Sequence, residues 1–313
     1  MRTFKQLQDD VLAWMADQSD TGLMRTLVKN ALNEHHQQVL HEDRYDFMLW
    51  PRSETLAVVP GTSVYALHPQ FDQPLYVYNA AQQEYLEEIP ARSLLEAGAD
   101  WATGTPATPD RFMLTGISKV ATQPTTPGTV TVTTTGGNEV AGQSVVISGV
   151  TTAGEMVEVH LSSSNPWSTL TSTEIFAVIL DVTKVGSGWT RAITVTCNGQ
   201  TVLTLGADVF GKQYRMLEII GTPQASTNLL YRFYRKPRQL VRDYDIPDVP
   251  DTYDDILVLR ALLSMQGYSR ATADEQAQWR VRLTLLEQSL KMTYQQSRSL
   301  GGRPTFTRYL PRG

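Results

Sequence analysis

Apolar side chains recur with a helical period at both ends of the chain and with a two-residue period between them. Phe4, Leu7, Val11, Leu12 and Trp14 predict a helix over residues 3–17. Leu23, Leu27, Ala31, Leu32, Val39 and Leu40 predict a second over about 22–42, with Asp20 or Thr21 as its cap. The polar break at 17–20 is short, so the two should lie antiparallel. At the other end, Thr252 and Asp255 have capping-box spacing ahead of Ile256, Leu257, Leu259, Ala261 and Leu263, and Gly267 closes that helix. Thr272 and Glu275 repeat the cap, and Trp279, Leu283, Leu286 and Leu290 form one stripe of a further helix that Gly301 and Gly302 stop.

Between these ends the period shortens. Residues 45–50, rich in aromatics and ended by Pro51, read as a strand. Residues 54–59 and 63–67 read as a hairpin, 75–78 and 84–89 as another pair, 90–97 as a short helix and 111–117 as a strand. From about 121 to 205 the chain turns rich in Thr, Ser, Val and Gly. Strands are predicted at 129–133, 144–148, 155–161, 174–182 and 191–196, with Asn198-Gly199 turning a two-residue hairpin into 201–204. Strands at this spacing predict a β-sandwich, and the Thr/Pro-rich stretch 122–128 reads as its entry linker. Residues 214–220 and 229–234 then return to the earlier style, so the β-rich part reads as an insertion into a discontinuous α+β domain.

Bulk composition narrows the classes. With 313 residues, 41% apolar and 19% charged, the chain has material for two folded domains. A net charge of −5 argues against a surface that tracks nucleic acid, and the single cysteine, Cys197, excludes an internal disulfide. No apolar run approaches a membrane span, and the N-terminus reads as an amphipathic helix rather than a leader, so assembly in a cytosol is expected.

Candidate chemistry is sparse. His35, His36 and His41 lack the spacing of helical metal ligands and read as a polar helix face. The aspartates of 243–255 lack the glycine and the order of a calcium loop, and read as helix caps and partners of neighbouring arginines. Gly186-Ser187-Gly188 is a turn, not a phosphate loop. Glu139, Glu155, Glu158, Glu174 and Asp181 show no spacing that marks a glycoside hydrolase. His160 reads as a surface residue and Cys197 as a buried or edge one. No catalytic residue, metal or cofactor is therefore predicted. Trp167 and Trp189 read either as core or as platforms for sugar rings, and Trp101, in a Gly/Thr/Pro-rich loop, as an anchor for a neighbour. The tail 303–313 has three arginines, no acid, and Phe306, Tyr309 and Leu310. A frayed end, a docking peptide and a phosphate-binding strap all fit it.

The outer segments resemble the bacteriophage head-to-tail adaptor family, the ring proteins beneath the portal of short-tailed phages. The resemblance rests on the N-terminal helix pair ending at 45–50, on Gly61-Thr62-Ser63-Val64-Tyr65-Ala66-Leu67, on 217–223 followed by 230–237, which looks like a strand pair ending in tyrosine, arginine and proline, and on the helix entry at 246–261. It covers roughly two-thirds of the chain and leaves the β-rich insertion outside the minimal pattern. The resemblance implies a ring, commonly of twelve copies, that joins the portal to the tail and lets double-stranded DNA pass without sequence-specific binding. It implies no membrane, a place in the virion neck, and host cytoplasm during assembly.

The resulting expectation is an α+β protein: a helical adaptor domain with a small sheet (1–118 and 212–302), an inserted immunoglobulin-like sandwich (119–211) and a docking tail (303–313). Portal contact is expected of Arg298, Arg303, Phe306, Arg308, Tyr309, Leu310 and Arg312. Subunit contact is expected between the basic Arg232, Arg235, Lys236 and Arg238 and the acidic Asp243, Asp245, Asp248 and Asp251. Trp101, Trp167 and Trp189 are candidates for an outer partner such as a tail nozzle or fibre protein. The alternative is a receptor- or glycan-binding module carried by the sandwich.

Overall fold

A computed structural model describes residues 1–15, 22–90, 108–221, 223–268 and 271–294. The chain divides into two units, one of Met1–Leu49 with Tyr234–Gly313 and one of Trp50–Phe233. Both chain ends thus contribute to the first, terminal unit.

The terminal unit is helical. Helix α1 (Phe4–Trp14) opens with a capping box: Gln6 N–H donates to Thr3 Oγ1 at 3.3 Å and Thr3 N–H to Gln6 Oε1 at 2.8 Å. Helix α2 spans Gly22–Glu42, as its apolar period predicts. Helix α3 (Asp255–Ser264) is apolar nearly all round, burying Ile256, Leu257, Val258, Leu259, Ala261 and Leu262, so it must be covered on several sides. Helices α1, α2 and α4 (Ala273–Tyr294) cover it. Trp279 and Leu290 of the predicted α4 stripe are buried, and Trp279 meets Trp14 edge-on at 6.0 Å. The Thr272–Glu275 box forms, with Thr272 N–H donating to Glu275 Oε2 at 2.7 Å.

Two local expectations fail here. The Thr252 cap is replaced by a 3-10 turn over Asp251–Tyr253, and α3 starts without a side-chain cap because Asp254 turns its buried carboxylate to Arg2 N–H, 3.3 Å away. The strand expected at 45–50 is a 3-10 turn, Asp46–Met48, after which Leu49 bridges Tyr234. Stacking of Tyr45 on Phe47 (5.2 Å) and of Phe47 against Tyr294 (5.3 Å) holds this turn in place of a ladder.

The central unit is built of strands β1 (Glu54–Val58), β2 (Val64–Ala66), β3 (Phe71–Asn79), β4 (Glu84–Tyr85), β5 (Glu87–Glu88), β6 (Arg111–Ser118), β7 (Gly128–Thr134), β8 (Ser144–Thr151), β9 (Met156–Ser162), β10 (Thr169–Val185), β11 (Ile193–Cys197), β12 (Gln200–Leu205), β13 (Tyr214–Ile219) and β14 (Thr227–Arg235). They form sheets ordered β1-β14-β3-β4, β2-β13-β6-β5 and β12-β11-β7-β10-β8-β9. The expected hairpin of 54–59 with 63–67 does not form: β1 pairs with β14 and β2 with β13. The Tyr65 hydroxyl ties the connection instead, accepting from Val59 N–H at 3.0 Å and donating to Thr62 O at 2.7 Å. Likewise β13 and β14, read as a strand pair, lie in different sheets. The two four-stranded sheets share one core, which includes Val58, Phe71, Val77, Phe112, Leu217, Leu229 and Phe233.

The β-rich segment forms one antiparallel six-stranded sheet, and its pairing defines neither a closed barrel nor a second facing sheet. The axis is β10. Its first part pairs with β7 and its second with β8, with register shifts between Thr171/Ile175, Phe176/Val178 and Ile179/Asp181. Such bulges bend a strand and strengthen its twist. All six strands feed one core containing Val130, Val145, Ile147, Leu161, Phe176, Ile179, Val195 and Leu203. That core also takes in Val120 and Tyr214, with Ala66 and Met216 packed against it, so apolar contact runs past the limits 119–211 into β2 and β13. The predicted Asn198-Gly199 hairpin forms, both residues having positive φ (48° and 78°) as a type I′ turn requires.

Gly149 sits where β8 passes closest to β10. A Cβ there would meet the Val178 carbonyl oxygen and lie 2.6 Å from the Phe176 ring. Gly149→Ala is therefore expected to destabilise the protein by about 1–3 kcal/mol, seen as a lower urea midpoint, because neither the backbone nor the buried ring can give way. An unchanged midpoint would contradict this packing.

Candidate functional site

The basic and acidic segments expected to face a neighbouring subunit meet within the terminal unit. Asp248 is their hub. Its carboxylate takes the Arg235 guanidinium at 2.8 Å, Arg238 N–H at 3.0 Å and Arg238 Nε at 3.4 Å. The Arg238 guanidinium also donates to the Ile246 carbonyl. Asp245 Oδ2 accepts Val241 N–H at 2.7 Å and Arg242 N–H at 2.8 Å, bonds that hold its carboxyl below the usual range. Asp243 pairs with Lys29 at 3.2 Å, and Asp251 with the terminal amine at 3.7 Å. Asp245 and Asp243 also offer their backbone carbonyls to Phe4 and Lys5 N–H, so this segment clasps the start of α1. In the central unit Arg232 Nε donates to Trp50 O at 3.2 Å. Lys236 is half-buried.

His36, read as part of a polar helix face, is instead fully buried: it continues the stripe of Leu32, Val39 and Leu40. Its Nε2 accepts Asp248 N–H at 3.0 Å, which makes the ring neutral with its proton on Nδ1. Burial pushes its pKa down to about 4 despite the nearby Asp248 carboxylate. Asp254, 2% exposed, is pushed up to about 6 by burial, against the pull of Arg2. Arg2 also bonds Asp10 at 2.8 Å and Asp255, and Asp255 takes Arg282 as well.

The central unit holds a second polar centre that sequence reasoning missed. Lys184 is 2% exposed and its ammonium donates to the carbonyls of Gly206 (2.6 Å), Arg191 (3.1 Å) and Ala207 (3.2 Å), lying 4.7 Å from the Trp189 ring centroid. Glu139, 1% exposed, accepts Arg191 N–H at 2.9 Å, Thr190 Oγ1–H at 3.0 Å and Val140 N–H at 3.1 Å. Those bonds outweigh burial and hold its carboxyl below the usual range. A period-two signal was available: Lys184 shares the phase of the inward Val182. Trp167 and Trp189 belong to this core, buried and edge-on to each other at 6.1 Å, so neither offers a face to a sugar ring. Glu139 and Lys184 are spent mainly on backbone groups of 190–191 and 206–207, an arrangement that orders those loops. Trp101 and the tail residues Arg298, Arg303, Phe306, Arg308, Tyr309, Leu310 and Arg312 lie outside the described residues. Among the described residues no group of His, Cys, Asp or Glu is placed to hold a metal, and no helix is long and apolar enough to cross a membrane.

Residues 2–137 match the family described as SU10 adaptor protein, a family of phage head-to-tail adaptors with a structural, non-catalytic part in the particle. The match takes in α1, α2 and strands β1 to β7. Segments 217–223, 230–237 and 246–261, which carry part of the resemblance, fall beyond it. No curated protein matches the chain.

Proposed function

We propose that this chain is a structural neck protein of a phage particle, assembling as a ring between portal and tail through which DNA passes. The match of residues 2–137 to an adaptor family carries the reading. The closure of the described parts of both chain ends, 1–49 and 234–294, into one helical unit supports it. The tail, with its arginines and aromatic side chains, docks on the portal; prolines 304 and 311 limit the entropy lost on ordering. The segment 119–211 serves as an outward module of immunoglobulin-like type that holds fibre or other tail parts.

Deleting residues 303–313 is expected to abolish binding to the portal while leaving the helical circular dichroism intact. Subunits counted by electron microscopy on the purified portal read out both attachment and ring number. Retained attachment would remove the docking role. Exchanging Arg235 and Arg238 for glutamate does not test the ring cleanly, because both arginines hold the buried Asp248 of their own chain.

A further inference from the structure

The six-stranded sheet closes one of its two outer edges. Beside β12, Ala121 and Thr122 N–H donate to Val202 O at 3.1 and 3.2 Å, and Lys212 Nζ caps Thr204 O at 2.7 Å. Even the half of β10 left open by β7 is covered, since the Gln123 amide bonds both N–H and C=O of Ile179, at 3.0 and 2.7 Å. Strand β9 ends the sheet on the other side and has β8 as its one strand neighbour. Among the described residues no other segment bonds its outer edge. Its outward side chains stand in solvent: Met156 is 70% exposed, Glu158 60% and His160 63%. An edge of this kind is a template for another strand.

Its register is defined by the turn before it. Thr151 N–H donates to Glu155 O at 2.9 Å, so the narrow pairs of the β8–β9 ladder fall on Val157, Val159 and Leu161. The N–H and C=O groups of Met156, Glu158, His160 and Ser162 therefore point to the free edge. The strand spans Met156–Ser162 with Val159 at its midpoint, and it is self-complementary about that residue. An antiparallel copy centred there sets Glu158 opposite His160 of the other copy, twice, on the outer face. It sets Val159 opposite Val159, and Val157 opposite Leu161, on the core side. Every edge-directed backbone group then faces another edge-directed group.

We propose that β9 is the docking edge for a second copy of this chain, pairing antiparallel with its own counterpart about a two-fold axis at Val159. Two six-stranded sheets become one of twelve strands, and both apolar inner rows continue across the junction. This contact is isologous and independent of the head-to-tail contact that a ring requires.

Cysteine cross-linking of the full chain tests the register, and it is clean because the native Cys197 is fully buried. Val159→Cys should form an interchain disulfide on mild oxidation, as its partner lies directly opposite in a wide pair. Val157→Cys alone should not, whereas a mixture of Val157→Cys and Leu161→Cys chains should link. Sedimentation of uncross-linked chains supplies the second measurement. Glu158→Pro removes an edge donor without touching a backbone bond to β8, losing there only the 3.4 Å contact of Ser148 Oγ with the Glu158 carboxylate, and should abolish the dimer. Glu158→Lys should weaken it about tenfold, and Glu158→Lys with His160→Glu should restore it. A wild-type chain that stays monomeric at about 100 µM would overturn the proposal. So would a dimer that survives Glu158→Pro, or Val157→Cys chains that link to themselves as readily as Val159→Cys.

Discussion

Lys184→Ala is expected to lower the stability of the central unit by about 3–5 kcal/mol, the largest effect of any single substitution in the sheet core. Three part-buried carbonyls, of Arg191, Gly206 and Ala207, lose their common donor, and each one that water does not reach costs about 1–3 kcal/mol. Truncation also empties the space beside Trp189. Lys184→Met separates the two contributions. The thioether refills the stem's volume and should recover roughly 1–2 kcal/mol, leaving the loss at the carbonyls. Urea unfolding followed by tryptophan fluorescence reads this directly, since Trp167 and Trp189 line the centre. A loss below about 1 kcal/mol for Lys184→Ala would mean that the ammonium is not the group ordering these loops. The backbone of Arg191 runs between two opposite charges, its N–H bonded to Glu139 and its carbonyl to Lys184. Glu139→Ala should therefore produce a loss of comparable size, and the double variant should lose less than the sum.

Local signals in the chain predicted local structure well. The apolar period of α2 gives its limits, Thr272 with Glu275 marks the start of α4, and Asn198-Gly199 marks its hairpin, because each is set by neighbours in sequence. Pairing was a different matter. Strands β1 and β2 follow one another yet enter different sheets, because the partners that bury Val58 and Leu67 come from β14 and β13, far along the chain. The polar centres were missed for a third reason. His36 stands on the buried phase of its helix although its type is polar, and Lys184 continues the phase of Val182 two residues beyond the strand predicted at 174–182. The Arg235–Asp248 pair forms within one chain, between opposite charges of neighbouring segments.

In the terminal unit, Asp254 and His36 are expected to give opposite pH dependences over the same interval, so that replacing either one exposes the other. Asp254 has its pKa raised by burial from 3.8 to about 6. Between those values the folded chain holds a proton that the unfolded chain has released, so this stabilisation is full below pH 4 and is lost as pH rises through 6. His36 has its pKa lowered by burial from 6.5 to about 4. Here the unfolded chain holds the extra proton, so the stabilisation is full above pH 6.5 and is lost as pH falls through 4. Each shift corresponds to roughly 3 kcal/mol, and in the native protein the two largely offset. Asp254→Asn keeps an acceptor for Arg2 N–H and removes the ionisation. Its stability should rise by roughly 3 kcal/mol more than that of the native chain between pH 4 and 6.5. His36→Gln keeps an acceptor for Asp248 N–H, and its stability should instead fall over that interval relative to the native chain. His35 and His68, whose pKa values burial also lowers, form a background common to all three proteins, so the differences between the curves carry the result. Urea midpoints by circular dichroism across this range give the three curves. Parallel curves would show that neither group is held away from its unfolded protonation, and that the clasp around Asp248 and Arg2 is open to water.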